Sequence, residues 1–383
     1  MPCMPCQSFG LACTYNRPVK RRGVRLLLCF KLVYDLTKSN QPPPRSQANA
    51  GGSVTQLPRP YTLAAQRASA DWEYREIADH QAVLDLAELY YRVVHPILLY
   101  FHWPTFSADL HSKRYTQDRS FFATTMAVCA TASARLRAGA PLPPSSPTFD
   151  RIVIPSSEVF YSACLDSLPI LTAGHADFNF MRTEALLGML CLQYDGLDGC
   201  HTHLHRYLAM CSEIGFSNER NWPSNLTEIE VQERRRLFWQ QYHFDVYLAV
   251  TFGSPVRQRG AQCNVLYPAE VYDDEDITPF GLLPRTGSAV SFIRGWNFVT
   301  DLYRILEHVS ERMQTRQIHG EDPNCHVSHI VADHNVSTKD RLHKDAILAT
   351  MQRLFEGLPA DLKHARPMSG AVCQDRYGFQ GLD

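Results

Sequence analysis

The sequence has none of the short signatures that announce enzyme chemistry. It contains no glycine-rich phosphate loop, no Gly-x-Ser-x-Gly elbow and no dinucleotide fingerprint. This weighs against nucleotide, acyl-transfer and hydride chemistry. Long apolar runs are also missing. The best one, Val24–Leu36, is interrupted by Arg25 and Lys31 and falls short of the ~20 residues a membrane-spanning helix needs. No segment reads as a secretory signal, so the expectation is an intracellular protein without a membrane partner. Regular β-branched alternation is scarce, with only a short stretch at Arg151–Ile154, which argues against an extensive sheet. No internal repeat is found, so a solenoid is excluded.

An excess of one charge is lacking too: 38 Lys and Arg face 39 Asp and Glu, a net charge of -1. That balance hides an asymmetry. Residues 1–60 carry nine basic side chains (Arg17, Lys20, Arg21, Arg22, Arg25, Lys31, Lys38, Arg45 and Arg59) against the single acid Asp35. A basic arm on an acidic body points to a polyanion, nucleic acid before membrane. At 383 residues and 45% hydrophobic, the chain is long and apolar enough to bury a sizeable core. Its 12 cysteines are too dispersed for a disulfide scaffold. Cys129, Cys164, Cys191 and Cys211 lie in apolar helical stretches and read as small buried hydrophobes in a reducing compartment.

Composition divides the chain into a Cys-rich basic head at 1–23, a linker at 24–70, a body at 71–360 and a tail at 361–383. The linker's centre, from Gln41-Pro42-Pro43-Pro44 to Ala50-Gly51-Gly52-Ser53, cannot bury enough apolar surface to fold. Apolar periodicity of 3.6 dominates the body, which is expected to be all-α. Ile77–Val94 places Ile77, Val83, Leu84, Leu86, Leu89, Tyr90 and Val93 on broadly one side, and Pro96 stops it. Phe121–Leu136, with Ala123, Ala127, Ala130 and Ala134, reads as a central buried helix. Arg182–Tyr194, His201–Ile214, Ile229–Val250 and Val290–Met313 read as further helices.

Two constellations invite a metal and are expected to hold none. Within Cys200-His201-Thr202-His203-Leu204-His205, His201 and His205 share a helical face and His203 points away. Two histidines without a carboxylate are too few for a metal site, so this reads as a polar helix start. Asp273-Asp274-Glu275-Asp276 lacks the glycine and spacing of a calcium loop and reads as an exposed acidic loop. The run Arg234-Arg235-Arg236 reads as a solvated charged face or as structural ion pairs in preference to a DNA contact, and Asp245 is expected to find its partner on another helix.

The head has a sharper pattern. Cys3, Cys6 and Cys13 stand in Cys-x2-Cys-x6-Cys spacing, with Cys3 and Cys6 able to reach one Zn²⁺, though three thiolates do not fill a tetrahedral site. With the following Thr14-Tyr15, Pro18 and Lys20-Arg21-Arg22-Gly23, the segment resembles the second half of the fungal Zn(II)2Cys6 cluster. In the body, Tyr90-Tyr91-Arg92-Val93-Val94-His95-Pro96-Ile97 and His102-Trp103-Pro104-Thr105-Phe106 resemble the opening of the fungal-specific transcription factor domain, where a helix ends and a turn follows. There Pro96 and Pro104 break the chain's course, and Phe101, Trp103 and Phe106 can plug the corner. Glu233–Tyr247 followed by Gly253-Ser254-Pro255 resembles that domain's most recognisable helix and turn.

The resemblance implies a nuclear, non-enzymatic transcription regulator. A complete cluster holds two zinc ions with six cysteines, so Cys3, Cys6 and Cys13 correspond to zinc ligands. The other half, with the basic residues that enter the major groove, is expected to precede Met1. Arg17, Lys20, Arg21 and Arg22 then serve phosphate contacts or nuclear import. DNA, a second copy of the chain, the transcription machinery and an effector of unknown type are the implied partners. Gly23–Lys38 departs from the charged heptad linker usual after the cluster and reads equally as intron-derived sequence. The alternative is a short form of the family: an interaction or ligand-sensing module that binds no DNA.

Overall fold

The computed structural model describes residues 72–138, 154–170, 176–194, 196–272, 274–284, 290–318 and 336–363. The cysteine head, the linker, most of Arg151–Ile154 and the C-terminal tail lie outside the described residues. The expectation of an all-α body is met. Helices account for nearly all the regular structure described, and the exceptions are a two-residue antiparallel pairing, Ile277–Thr278 (β1) with Gly281–Leu282 (β2), and an isolated parallel bridge between Asn218 and Asn264.

Helix α1, His80–Val93, starts where the Asp79 carboxylate accepts from the Gln81 N–H at 2.8 Å, and buries Val83, Leu86, Leu89 and Tyr90. Pro96 follows in the turn that ends it. The next segment departs from the sequence reading. Trp103–His111 is a helix (α2), with Pro104 in its first turn, not a turn alone. Proline is well suited there, since a first-turn N–H has no intrahelical partner to lose.

Helix α3, Arg119–Arg137, is the expected central helix. Asp118 caps it by accepting from the N–H groups of Ser120 and Phe121, and every residue from Ser120 to Ala134 is buried. The small side chains let α1, α4 (Ser157–Ser167) and α5 (Phe178–Cys191) pack close against it. Its hydroxyls are satisfied: Thr125 and Thr131 donate to carbonyls one turn back, and Thr124 donates to Asn179 O at 2.9 Å. α6, Leu197–Ile214, packs on α5 and ends at Gly215, whose φ is +62°. Cys129, Cys164, Cys191 and Cys211 are buried as expected.

Helix α7, Glu228–Phe252, opens with a reciprocal cap between Thr227 and Glu230 and closes at Gly253, φ +74°. It packs against α8, Phe292–Ile318, which in turn meets α9, Val336–Glu356. A single turn, Ala360–Lys363, follows. α7 is unusual in burying polar groups along with its apolar ones. Gln232, Glu233, Arg236, Gln240, Gln241, His243 and Asp245 are all inside the domain. Buried charges of this kind persist only where they are paired, and their partners define the most distinctive region of the molecule.

Candidate functional site

The turn between α1 and α2 comes against the middle of α7 through a chain of buried charges. Arg236 donates from Nη2 to Asp274 Oδ1 at 2.7 Å and from Nη1 to the Phe101 carbonyl at 3.0 Å. The other carboxylate oxygen of Asp274 accepts from the Trp103 N–H at 2.9 Å, and its carbonyl lies 2.7 Å from His102 Nε2. The His102 N–H donates to Glu233 Oε1 at 2.8 Å, and Glu233 pairs with Arg182 of α5. Arg182 and Arg234 both lie over the Phe178 ring, at 4.2 and 4.5 Å from its centroid.

Electrostatics follow from this arrangement. Burial opposes ionisation of Asp274, but the Arg236 guanidinium prevails and holds its carboxyl at about 2. His95, fully buried beside it, is pushed down to about 4 by desolvation, with Arg236 and His102 adding to the shift and Asp274 opposing it. It is therefore neutral at pH 7. The acidic segment thus corrects the sequence reading: Asp274 and Asp276 are buried, and for Asp274 α7 supplies the cation and the turn before α2 an N–H group. The arginine run resolves in favour of structural pairing. Arg235 forks onto Glu219 at 2.8 and 2.9 Å, and Arg236 onto Asp274 and Phe101.

A second cluster joins α6 to the segment after α7. The fully buried Asp245 carboxylate accepts from the N–H groups of Arg257 and Gln258 and from Arg257 Nη1, at 2.6, 2.7 and 2.9 Å. Its partner is therefore a loop residue just past the helix, where another helix was expected. Arg257 donates to His205 Nε2 at 2.9 Å and lies 3.0 Å from His201 Nδ1. The two imidazoles share a face and stack, as the spacing predicts. Their facing nitrogens are taken up by a cation. Among the described residues no group of three His, Cys, Asp or Glu side chains is set to hold a metal ion. His203 departs from the reading of Cys200–His205 as a polar helix start, being fully buried on the opposite face.

These networks link residues 95–106, 233–245 and 257–274 into one frame, and their charges are answered from within the domain. The arrangement is suited to fixing the relative positions of helices. Of the predicted site residues, Cys3, Cys6, Cys13, Arg17, Lys20, Arg21 and Arg22 all lie outside the described residues. The segments of Asp274 and His203 drew notice as candidate metal sites, but their burial had no legible signal, because each is held by a partner distant in sequence, Arg236 for Asp274 and Glu184 of α5 for His203.

Comparison with known proteins places the same segments in context. Residues 87–344 match the family described as "Fungal specific transcription factor domain". "Activator of stress genes 1" of Saccharomyces cerevisiae is 23% identical over 218 residues, which is 56% of this chain and 22% of that protein. "Activator of stress genes protein 1" of Candida albicans is 25% identical over 202 residues, 50% of this chain and 20% of that protein. The chain thus spans about a fifth of the length of these curated relatives. No solved structure matches it. No described helix is long and apolar enough to cross a membrane.

Proposed function

Because the chain belongs to the fungal-specific transcription factor domain family, we propose that it is a nuclear regulator of transcription whose residues 71–360 form a non-catalytic regulatory domain. The observation that carries this reading is the family match across 87–344, which contains both buried charge networks. The frame they build gives such a domain a fixed shape from which to present a surface to an effector or to the transcription machinery. The two curated relatives, by their names, activate stress genes. A role in stress-responsive transcription extends the proposal to this chain.

DNA binding is assigned to the head. Cys3, Cys6 and Cys13 would act as zinc ligands, and Arg17, Lys20, Arg21 and Arg22 as phosphate contacts or an import signal. The donor set does not fit a whole cluster. Three thiolates fall one short of a single tetrahedral zinc and three short of the six that hold two zinc ions. The remaining ligands would come from a remote side chain, another chain or further sequence.

Chromatin immunoprecipitation of the tagged protein, paired with transcript profiles of strains with and without it, tests the reading. Occupancy at promoters whose transcripts change supports a regulator, and neither effect overturns it. The same measurement on Cys6→Ser separates the two halves of the proposal. Lost occupancy supports DNA binding through the head, and unchanged occupancy refutes it and leaves the helical domain as an interaction module.

A further inference from the structure

Arg257 reaches two imidazoles that can hold it in one protonation state alone. Its Nε donates to His205 Nε2 at 2.9 Å, and its Nη2 lies 3.0 Å from His201 Nδ1. A guanidinium has donors and no acceptor, and it keeps its charge at every accessible pH. Each facing nitrogen must therefore accept with a bare lone pair. His201 and His205 are neutral in this arrangement, with their protons on Nε2 and Nδ1 respectively. A proton taken up on a facing nitrogen removes the acceptor and sets one cation against another.

Protons have access to both rings, since His205 is exposed and His201 and Arg257 are partly so. The charged groups that face them are Asp198 on α6 itself, Asp245 on α7 and Arg257 on the segment after it. Asp245 is committed to Arg257 and Gln258 through three hydrogen bonds, so it keeps Arg257 in place whether or not the imidazoles let go. α5 meets the opposite face of α6, where Glu184 holds His203 and Arg206. The start of α6 has little else to fix it. Its N-cap, Gly196, offers no side chain to the first turn, and Gly199 lies within that turn. Glycine is a poor helix former, so the two turns that carry His201 are the part of α6 most ready to fray.

We propose that His201, His205 and Arg257 form an acid-operated latch, in which protonation of the two imidazoles releases the start of α6 from the segment after α7. Arg257 stays on Asp245, His203 stays on Glu184, and the stretch set free is 197–202. The sign follows from which state binds protons more tightly. Burial lowers both rings from the ordinary 6.5 and the guanidinium adds to it, against Asp245 at each ring and Asp198 at His201. Once released, the rings return to the ordinary value, so the open state gains protons first as pH falls. Each ring shifts the opening equilibrium by up to about tenfold per pH unit below 6.5, and the pair by up to about 100-fold between pH 7.5 and 5.5. The helical domain thereby has a surface whose shape follows proton concentration.

The test is hydrogen exchange of the full chain at pH 7.5 and 5.5, with each amide's rate divided by its intrinsic rate at that pH. Amides 200–202 are the first to bond within α6, beginning with Cys200 N–H to the Gly196 carbonyl at 2.9 Å. Their protection is expected to fall by up to about 100-fold on acidification. α3 and the N–H groups of Arg257 and Gln258 keep theirs. His201→Gln and His205→Gln each leave the guanidinium an acceptor that does not titrate. Each single variant should therefore retain about tenfold of the response, and the double variant none. General loosening by acid would act on α3 as well and would survive in the double variant. Equal protection of 200–202 at the two pH values in the unaltered protein overturns the latch, as does a full response in the double variant.

Discussion

Arg236 and Asp274 meet 2.7 Å apart, and only 1% and 8% of their respective side chains are exposed. One lies mid-helix and the other opens a short 3-10 helix, Asp274–Asp276, 38 residues on. Between them they hold the Phe101 carbonyl and the Trp103 N–H, so the turn before α2 is fixed to α7 by charge. Apolar contact around this pair is extensive, with Phe101 and Phe106 stacked at 4.1 Å. What the charges add is register: only one placement of the turn satisfies both carboxylate oxygens.

Removing one partner leaves the other charged inside the domain. Asp274→Asn and Arg236→Met are each expected to cost about 3–5 kcal/mol, read as a lower urea midpoint. The double variant should be less destabilised than the sum of the singles, because the uncompensated charge disappears with its partner. Strict additivity in this cycle would show that the pair is not coupled.

Gly215 and Gly253 end α6 and α7 in the same left-handed conformation but differ in what surrounds them. A Cβ on Gly215 would fall 2.4 Å from Asn221 Nδ2, whereas one on Gly253 meets nothing within 4 Å. Gly253→Ala therefore carries the backbone term alone, about 1 kcal/mol. Gly215→Ala adds the displacement of Asn221 and should lower the thermal midpoint further. Equal shifts in the two variants would refute the steric argument.

The residues show why some of this was legible and some was not. α3 announced itself because Ala123, Ala127, Ala130 and Ala134 recur at helical spacing, a local property of the chain. α2 did not, since Pro104 reads as a breaker until it is known to occupy a helix's first turn. The starts of α5 and α6 lay four residues ahead of the sequence reading, at Phe178 and Leu197, where Asp177 and Gly196 precede the apolar pattern. Asp274 was read as solvated because an acidic run in a loop usually is. Its burial depends on Arg236, and no spacing rule connects residues 38 apart. The pairing of His201 with His205 was legible from i, i+4 geometry. Arg257 as their partner was not.

Arg257 serves four acceptor atoms at once: two of Asp245 and one nitrogen on each imidazole. Lysine keeps the charge but presents a point donor where a planar fork is required. Arg257→Lys should retain the backbone contacts of 257 and 258 to Asp245 and lose both histidine contacts. The expected cost is about 1–2 kcal/mol, with hydrogen exchange rising at 197–205 while α3 stays protected. Unchanged exchange there would remove the link between α6 and the loop after α7.

The histidines give stability a maximum in pH, and the sign follows from which state binds more protons. Burial lowers His201 and His205, Arg257 adds to both, and Asp198 and Asp245 oppose it at His201. Burial also takes His95 to about 4 and His243 to about 3. For these four the unfolded chain binds protons first, at about 6.5, so stability falls as pH drops below that value. Asp274, at about 2, adds a further loss as pH falls below 3.8. His203 works the other way. Raised to about 9, it contributes stability that is complete below 6.5 and lost as pH climbs through 9. Urea midpoints measured from pH 4 to 10 should therefore peak near 6.5 and decline on both sides. His203→Gln should flatten the alkaline limb and leave the acid one, because the lowered histidines are untouched. A midpoint that kept rising from pH 7 to 9 in the unaltered protein would show that His203 is neutral in its pocket beside Glu184.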